Sequence, residues 1–234
     1  MTAVLVVEDQ QALASALDVA IGAQPDLECI GWAGSVEDAL ELLTRRVPDV
    51  VLMDVELPGA DGIEGTRRIK AAYPDVSVLI LTAGATSRRL AAAATAGASG
   101  FLAKDSKLPD ILAAIRSPID GKMVIEGTTL RELLQDVLPA HEAQAEESGQ
   151  HAVAEPELNW AGLTGREREV LALMGEGLDP RTIGERLVVS LHTARGYVKN
   201  VMMKLGAHSQ LEAVVMATRS GLLPGDAPDP RPDH

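Results

Sequence analysis

Over the first half of the chain, short apolar runs alternate with longer stretches whose apolar positions recur at helical spacing. The runs are Val4–Val7, Leu27–Ala33, Val50–Met53, Val76–Thr82 and Gly100–Ala103. Between them Ala12–Ile21, Val36–Arg46, Gly62–Ala72, Ser87–Ala96 and Leu108–Arg116 each keep one apolar face and predict helices. Ser35 and Ser87 stand where N-caps belong, and Gly97 where a helix should stop. The central runs are apolar throughout rather than alternating, as strands covered on both faces must be. Five such strands interleaved with helices predict an α/β fold, a doubly wound five-stranded parallel sheet.

The pattern then changes. Leu130–Leu138 has room for one more helix, but Pro139–Glu157 is rich in Ala, Glu, Gln and Gly and has no periodic apolar face. It predicts a flexible acidic linker. From Leu163 to Leu222 the spacing is purely helical, and the start signals are strong. Thr164-Gly-Arg-Glu167 and Ser209-Gln-Leu-Glu212 both have the capping-box pattern. Asp179-Pro180 puts a cap before a proline at the first helical position. Four short helices are predicted, near Arg166–Glu176, Arg181–Leu187, Leu191–Leu205 and Gln210–Ser220, with Gly177, Gly206 and Gly221 after three of them. The organisation is a first domain over residues 1–120, a linker over 121–159, a small all-α domain over 160–223 and a tail over 224–234.

Charge refines this division. The chain carries a net −13, which argues against nucleic acid when taken whole. It is unevenly spread, at −7 over residues 1–120, −6 over 121–160, +2 over 161–221 and −2 over the tail. Only the helical second domain is basic. No apolar run approaches the roughly 20 residues of a membrane span, and Glu8 and Asp9 interrupt the apolar N-terminal stretch, so no signal peptide is predicted. The single cysteine, Cys29, excludes an internal disulfide framework and is expected to be a small packed hydrophobe in a reducing cytoplasm.

In an open parallel sheet, ligands bind beyond the carboxyl ends of the strands. Those ends carry Glu8 and Asp9, Asp54, Thr82 and Lys104. Three carboxylates in one crevice repel unless a hard divalent cation joins them. Mg²⁺ needs few protein oxygens and leaves room for a phosphoryl oxygen. An aspartate beside Mg²⁺ and a lysine has the surroundings of a phosphoryl-accepting nucleophile. Taken singly, Asp54 reads as a helix cap, Lys104 as a solvated charge and Thr82 as a strand residue. It is their joint placement at successive strand ends that points to chemistry.

These residues carry a resemblance. Val4-Leu-Val-Val-Glu-Asp9, Val51-Leu-Met-Asp54 with Leu57-Pro58 and Asp61-Gly62, Leu81-Thr82-Ala83, and Gly97-Ala-Ser-Gly-Phe-Leu-Ala-Lys104 resemble the receiver domain of bacterial two-component response regulators. The resemblance implies a flavodoxin-like strand order 2-1-3-4-5. It implies Mg²⁺ held by Glu8, Asp9, Asp54 and the backbone carbonyl of Glu56, with phosphate delivered to Asp54 by a sensor histidine kinase. It further implies that Thr82, Ala83 and Lys104 stabilise the phosphoryl group, and that Thr82 and Phe101 form a switch pair.

In the second domain, Ala194, Val198, Val201, Met202 and Leu205 share one face of Leu191–Leu205, opposite His192, Arg195, Gly196, Lys199 and Met203. A helix with a buried stripe, two cations and a glycine on its open face suits a DNA major groove; the alternative on pattern alone is a small dimerisation bundle. Leu163-Thr-Gly-Arg-Glu-Arg-Glu-Val-Leu171, Ile183-Gly-Glu-Arg-Leu187 and the run Ser190–Leu205 resemble the LuxR-type helix-turn-helix. Joined to a receiver, this is similar to the NarL/FixJ response regulators. The resemblance implies base contacts from Arg195 and Lys199, close approach at Gly196 and phosphate contacts from Thr193 and Lys204. Ala194 stands where valine is usual and Tyr197 where histidine is usual.

The expected function is a non-enzymatic, cytoplasmic transcription regulator acting on promoter DNA as a homodimer, controlled by phosphorylation. The runner-up keeps the fold and replaces phosphate by a ligand or partner. A haloacid-dehalogenase-type phosphatase would need an aspartate two residues after Asp54, where Glu56 stands, and would have no use for a helix-turn-helix.

Overall fold

A computed structural model describes residues 1–84, 86–117, 124–125 and 162–223. The expected helix over Leu130–Leu138, the acidic linker and the tail lie outside the described residues. Among the described residues there are five strands and nine helices. The first domain runs β1 (Thr2–Val7), α1 (Gln11–Gly22), β2 (Leu27–Ala33), α2 (Val36–Arg45), β3 (Val50–Asp54), α3 (Gly62–Ala72), β4 (Ser77–Thr82), α4 (Ser87–Thr95), β5 (Gly100–Ala103) and α5 (Leu108–Arg116). The strands are parallel in the order β2-β1-β3-β4-β5. That is the doubly wound α/β fold expected, with its reversal of order beside β1.

Successive residues of each central strand serve opposite layers. Leu5, Val7, Val51, Met53, Val78, Ile80 and Phe101 join the apolar cluster of α2, α3 and α4. Val4, Val6, Val50, Leu52, Leu79, Leu81 and Leu102 join that of α1 and α5. Both faces of the pleat are buried, which is why these strands are apolar throughout. Cys29 is half-buried on β2, its thiol pushed up to about 11 chiefly by burial and then by Asp18.

The second domain consists of α6 (Gly165–Gly175), α7 (Pro180–Leu187), α8 (Leu191–Leu205) and α9 (Gln210–Arg219). Its caps follow the sequence closely. Thr164 and Glu167 complete a reciprocal capping box and Asp179 caps α7, both as expected, while α8 is capped by Ser190, a cap not expected from the sequence. Two expected caps differ. The N-cap of α4 is Thr86 rather than Ser87, because Thr86 keeps extended backbone angles and its Oγ1 accepts from the Arg89 amide. The second expected box is half formed. Ser209 accepts from the Glu212 amide, but Glu212 turns to the amide of His208, one residue outside the box.

No helix among the described residues is long and apolar enough to cross a membrane. The two domains touch where α9 lies against α4, and the effector core is continuous with the cluster on the α2–α3–α4 face.

Candidate functional site

The sheet delivers its polar residues to one edge. Glu8 follows β1, Asp54 ends β3, Thr82 ends β4 and Lys104 follows β5. Lys104 Nζ lies 2.7 Å from Asp54 Oδ2 and 3.0 Å from Glu8 Oε1. Glu8 and Asp54 are 0% and 1% exposed, so this is a buried ion cluster. Such a cluster is held by geometry, since each charge has given up its water. Carboxylate oxygens of Glu8, Asp9 and Asp54 lie within 4.8 Å of one another, with Asp9 exposed.

Charge in this pocket is under-compensated. One ammonium faces three carboxylates. Burial pushes the Glu8 carboxyl up, partly offset by the hydrogen bond from Lys104. Burial also works against the Lys104 cation, but its bonds to Asp54 and Glu8 prevail and raise it. Glu8 Oε2 is buried and, although Lys104 Nζ is 2.8 Å away, receives no well-aligned hydrogen bond. An orphaned anionic oxygen beside two further carboxylates fits a hard divalent cation with oxygen ligands.

The remaining members take up supporting positions. The Asp54 Oδ1 accepts from the Glu56 amide at 3.1 Å, fixing the carboxylate as the chain leaves β3. The Glu56 side chain turns outward to Arg89 of α4, at 3.1 Å. Thr82 Oγ1 accepts from the Gly84 amide at 3.2 Å, and Thr82, Ala83 and Glu56 line the same cleft as Asp54. Phe101 is buried in the core and is not among the residues that line this cleft. A member that residue chemistry alone does not single out is Gly62, at the first turn of α3. A Cβ there would come within 1.9 Å of the Asp54 carbonyl oxygen, so the strand end that aims Asp54 passes directly over a missing side chain.

On the second domain, Ala194, Val198, Val201 and Leu205 are buried, while His192, Thr193, Arg195, Gly196, Lys199 and Met203 are exposed. Ala194 packs close to α7, where a Cβ on Gly184 would lie 3.5 Å from the Ala194 methyl. Ala194, where valine is usual, is fully buried at this crossing. Tyr197 is partly buried against the core, a packing role. The Thr193 hydroxyl is shared with Ser190 at 2.8 Å, inside the cap. Lys204 is held within the domain, 2.6 Å from Glu167 and 2.9 Å from the Gly162 carbonyl, and this bond holds the Glu167 carboxyl below its usual range.

The turn between α7 and α8 rests on Val188, with φ 54° and ψ 47°, and 90% exposed. Left-handed angles cost an L-residue roughly 1–2 kcal/mol. Glycine accepts them freely, at some cost in unfolded-chain entropy. Val188→Gly is expected to stabilise the chain by about 1 kcal/mol in chemical denaturation; a loss of stability would show that the valine makes a contact of its own.

A doubly wound sheet with a lysine-bearing acidic pocket, followed by a helix-turn-helix, defines a receiver joined to a DNA-binding output. Comparison with known proteins gives the family. Residues 4–116 match the response regulator receiver domain and residues 161–217 match the luxR family of bacterial regulatory proteins. The chain belongs to the response regulators that combine these two domains. It is 32% identical to the DNA-binding transcriptional activator DevR/DosR of Mycobacterium tuberculosis, over 97% of this chain and all of the relative. It is 31% identical to the transcriptional regulatory protein LiaR of Bacillus subtilis, over 95% of this chain and all of that one. Among solved structures, a LuxR-family two-component response regulator from Aurantimonas matches at 27% identity and a TM-score of 0.54, covering 58% of this chain and 97% of that one.

Proposed function

We propose that Asp54 accepts a phosphoryl group from a sensor histidine kinase and that this modification controls pairing of the effector domains on promoter DNA. The observation that carries the reading is the Lys104 ammonium bridging Asp54 and Glu8 in a buried pocket with excess negative charge. A carboxylate oxygen of Asp54 forms the new bond to phosphorus as the bond to the donor's histidine nitrogen breaks. Lys104 neutralises charge on the transferred group, and the Thr82 hydroxyl and the backbone at Ala83 line the cleft that receives it. Glu8, Asp9, Asp54 and the Glu56 carbonyl would hold Mg²⁺, which supplies charge neutralisation for the incoming phosphoryl oxygens. The chain acts as an acceptor and regulator rather than an enzyme with turnover.

On DNA, Arg195 and Lys199 supply base contacts across an exposed face where even a Cβ on Gly196 would meet nothing within 4 Å. Thr193 contacts phosphate. Lys204, engaged with Glu167, reaches a phosphate only by leaving that pair. An effector of net +2 within a chain of −13 binds weakly alone. Two effectors on adjacent half-sites gain through effective concentration, with α9 as one contact of the homodimer and a receiver face as the other. The test is a titration of an operator selected from random duplexes, with oligomer size measured alongside. The phosphorylated chain is expected to bind at least tenfold tighter and as a dimer. Equal affinity and equal size with and without phosphate would sink this reading.

A further inference from the structure

β5 is the last strand in the sheet order, so its outer edge would present unpaired backbone groups to solvent or to another chain. Two residues of the expected linker cover it. Val124 lies parallel to Gly100 as an isolated bridge. The Phe101 amide donates to the Val124 carbonyl at 2.6 Å, and the Val124 amide donates to the Ser99 carbonyl at 3.4 Å. The side chains follow the alternation of a strand. Val124 packs against the layer of α1 and α5, and Ile125 against that of α2, α3 and α4. Pairing and alternation together make these two residues the start of a sixth parallel strand.

Gly100 is what admits them. Its backbone is not left-handed, so no turn demands a glycine there. Space does. A Cβ at Gly100 would lie 2.3 Å from the Val124 carbonyl oxygen and 2.8 Å from its Cα, both backbone atoms. The linker is seated directly on the β5 backbone, with no slack between them.

Position along β5 gives this contact a consequence. The linker is fastened at Gly100 and Phe101, the first two residues of a strand of four. Lys104, which bonds Asp54 and Glu8, directly follows the last of them. Roughly 10 Å of extended chain, with no turn in it, therefore connects Phe101 to the pocket lysine. β4 pairs with β5 along its whole length, and the Lys104 amide donates to the Thr82 carbonyl at 2.8 Å.

Resting on the reading that Asp54 accepts phosphate, we propose that Val124 and Ile125 form a backbone clamp on β5, released when the strand shifts to bring Lys104 onto the phosphoryl group. Phosphoryl oxygens lie beyond the Asp54 carboxylate, so a charge-assisted bond to them draws Lys104 past the place it holds between Asp54 and Glu8. Hydrogen bonds weaken steeply with misalignment. The clamp has one short bond and one long one, whereas β4 holds β5 at four paired positions, so the clamp is the pairing that yields. Phosphorylation thereby reaches the linker through the backbone of β5, at the point where the chain leaves the receiver for the effector.

Amide exchange read residue by residue on the full chain, with intact mass taken on the same samples, tests this. Without phosphate, Gly100→Ala is expected to speed exchange of the Phe101 amide roughly tenfold while β1 and β3 stay protected. Val124→Pro removes the amide bonded to Ser99 at a half-buried position and is expected to act in the same way, even where alanine at 100 disturbs β5 as a whole. Mg²⁺ and acetyl phosphate are expected to speed Phe101 exchange in wild type by a similar factor, and to add little in Gly100→Ala, whose clamp is already open. Equal Phe101 exchange in wild type and both variants overturns the proposal. So does unchanged protection in wild type that carries the phosphoryl mass. A wild type that gains no such mass overturns the functional reading instead, while the variants without phosphate still decide whether the clamp exists.

Discussion

Replacing Gly62 with alanine is expected to cost the receiver about 3 kcal/mol and to abolish phosphoryl acceptance, though Gly62 has no side chain and touches no phosphate. The added methyl would lie 1.9 Å from the Asp54 carbonyl oxygen and 2.8 Å from its carbon. Both are backbone atoms, so no rotamer change relieves the clash. Overpacking a core that can adjust costs roughly 1–3 kcal/mol, and here the strand end itself must move. The Gly62 amide also donates to the Val55 carbonyl at 3.0 Å, so α3 and the end of β3 shift together. Asp54 sits at that end, fixed by the Glu56 amide and Lys104. Chemical denaturation measures the loss, and phosphoryl uptake reads the displacement. A variant of wild-type stability would show that β3 and α3 separate freely, and the rigid placement of Asp54 would have to be abandoned.

Lys104→Met is expected to destabilise the chain by a similar amount, for an electrostatic reason. The lysine is bonded to two carboxylates that are 0% and 1% exposed. Removing one partner of a buried pair leaves the other charged and desolvated, at a cost of about 3–5 kcal/mol. Methionine keeps most of the volume, so cavity formation contributes little. The variant should also respond to Mg²⁺ more strongly than wild type, because Lys104 is the cation that bonds Glu8 and Asp54 among the described residues. Thermal melts with and without Mg²⁺ measure both effects. An unchanged melting temperature without Mg²⁺ would mean that the carboxylates are better hydrated than their burial indicates.

Most of the fold can be read from the chain because one physical signal dominates it. Val50–Met53 and Val4–Val7 are apolar at every position, which only a strand covered on both faces requires. The caps are legible for a similar reason, since Thr164, Asp179 and Ser209 each supply an oxygen to a free amide three residues on. The pocket is legible because polar residues fall where strands end.

What escapes the sequence is what depends on a distant neighbour. Gly62 belongs to a motif of the receiver resemblance, but the reason for a glycine there shows only once the Asp54 carbonyl is placed over it. Val188 carries a left-handed turn with no glycine to announce it. Lys70 is buried, its Nζ donating to the Pro74 carbonyl and to that of His208, which lies 138 residues on and could not be placed beside it from local pattern. Thr86 takes the cap of α4 from Ser87 because backbone angles decide between adjacent hydroxyls. Lys204 illustrates the reverse, a cation whose position suggests DNA but whose partner is Glu167.

The central claim is that Asp54 is a phosphoacceptor, and intact mass measurement after incubation with Mg²⁺ and acetyl phosphate tests it most directly. Wild type is expected to gain the mass of one phosphoryl group, and Asp54→Asn to gain none. A wild-type mass that stays unmodified, or an adduct that persists in Asp54→Asn, would contradict it.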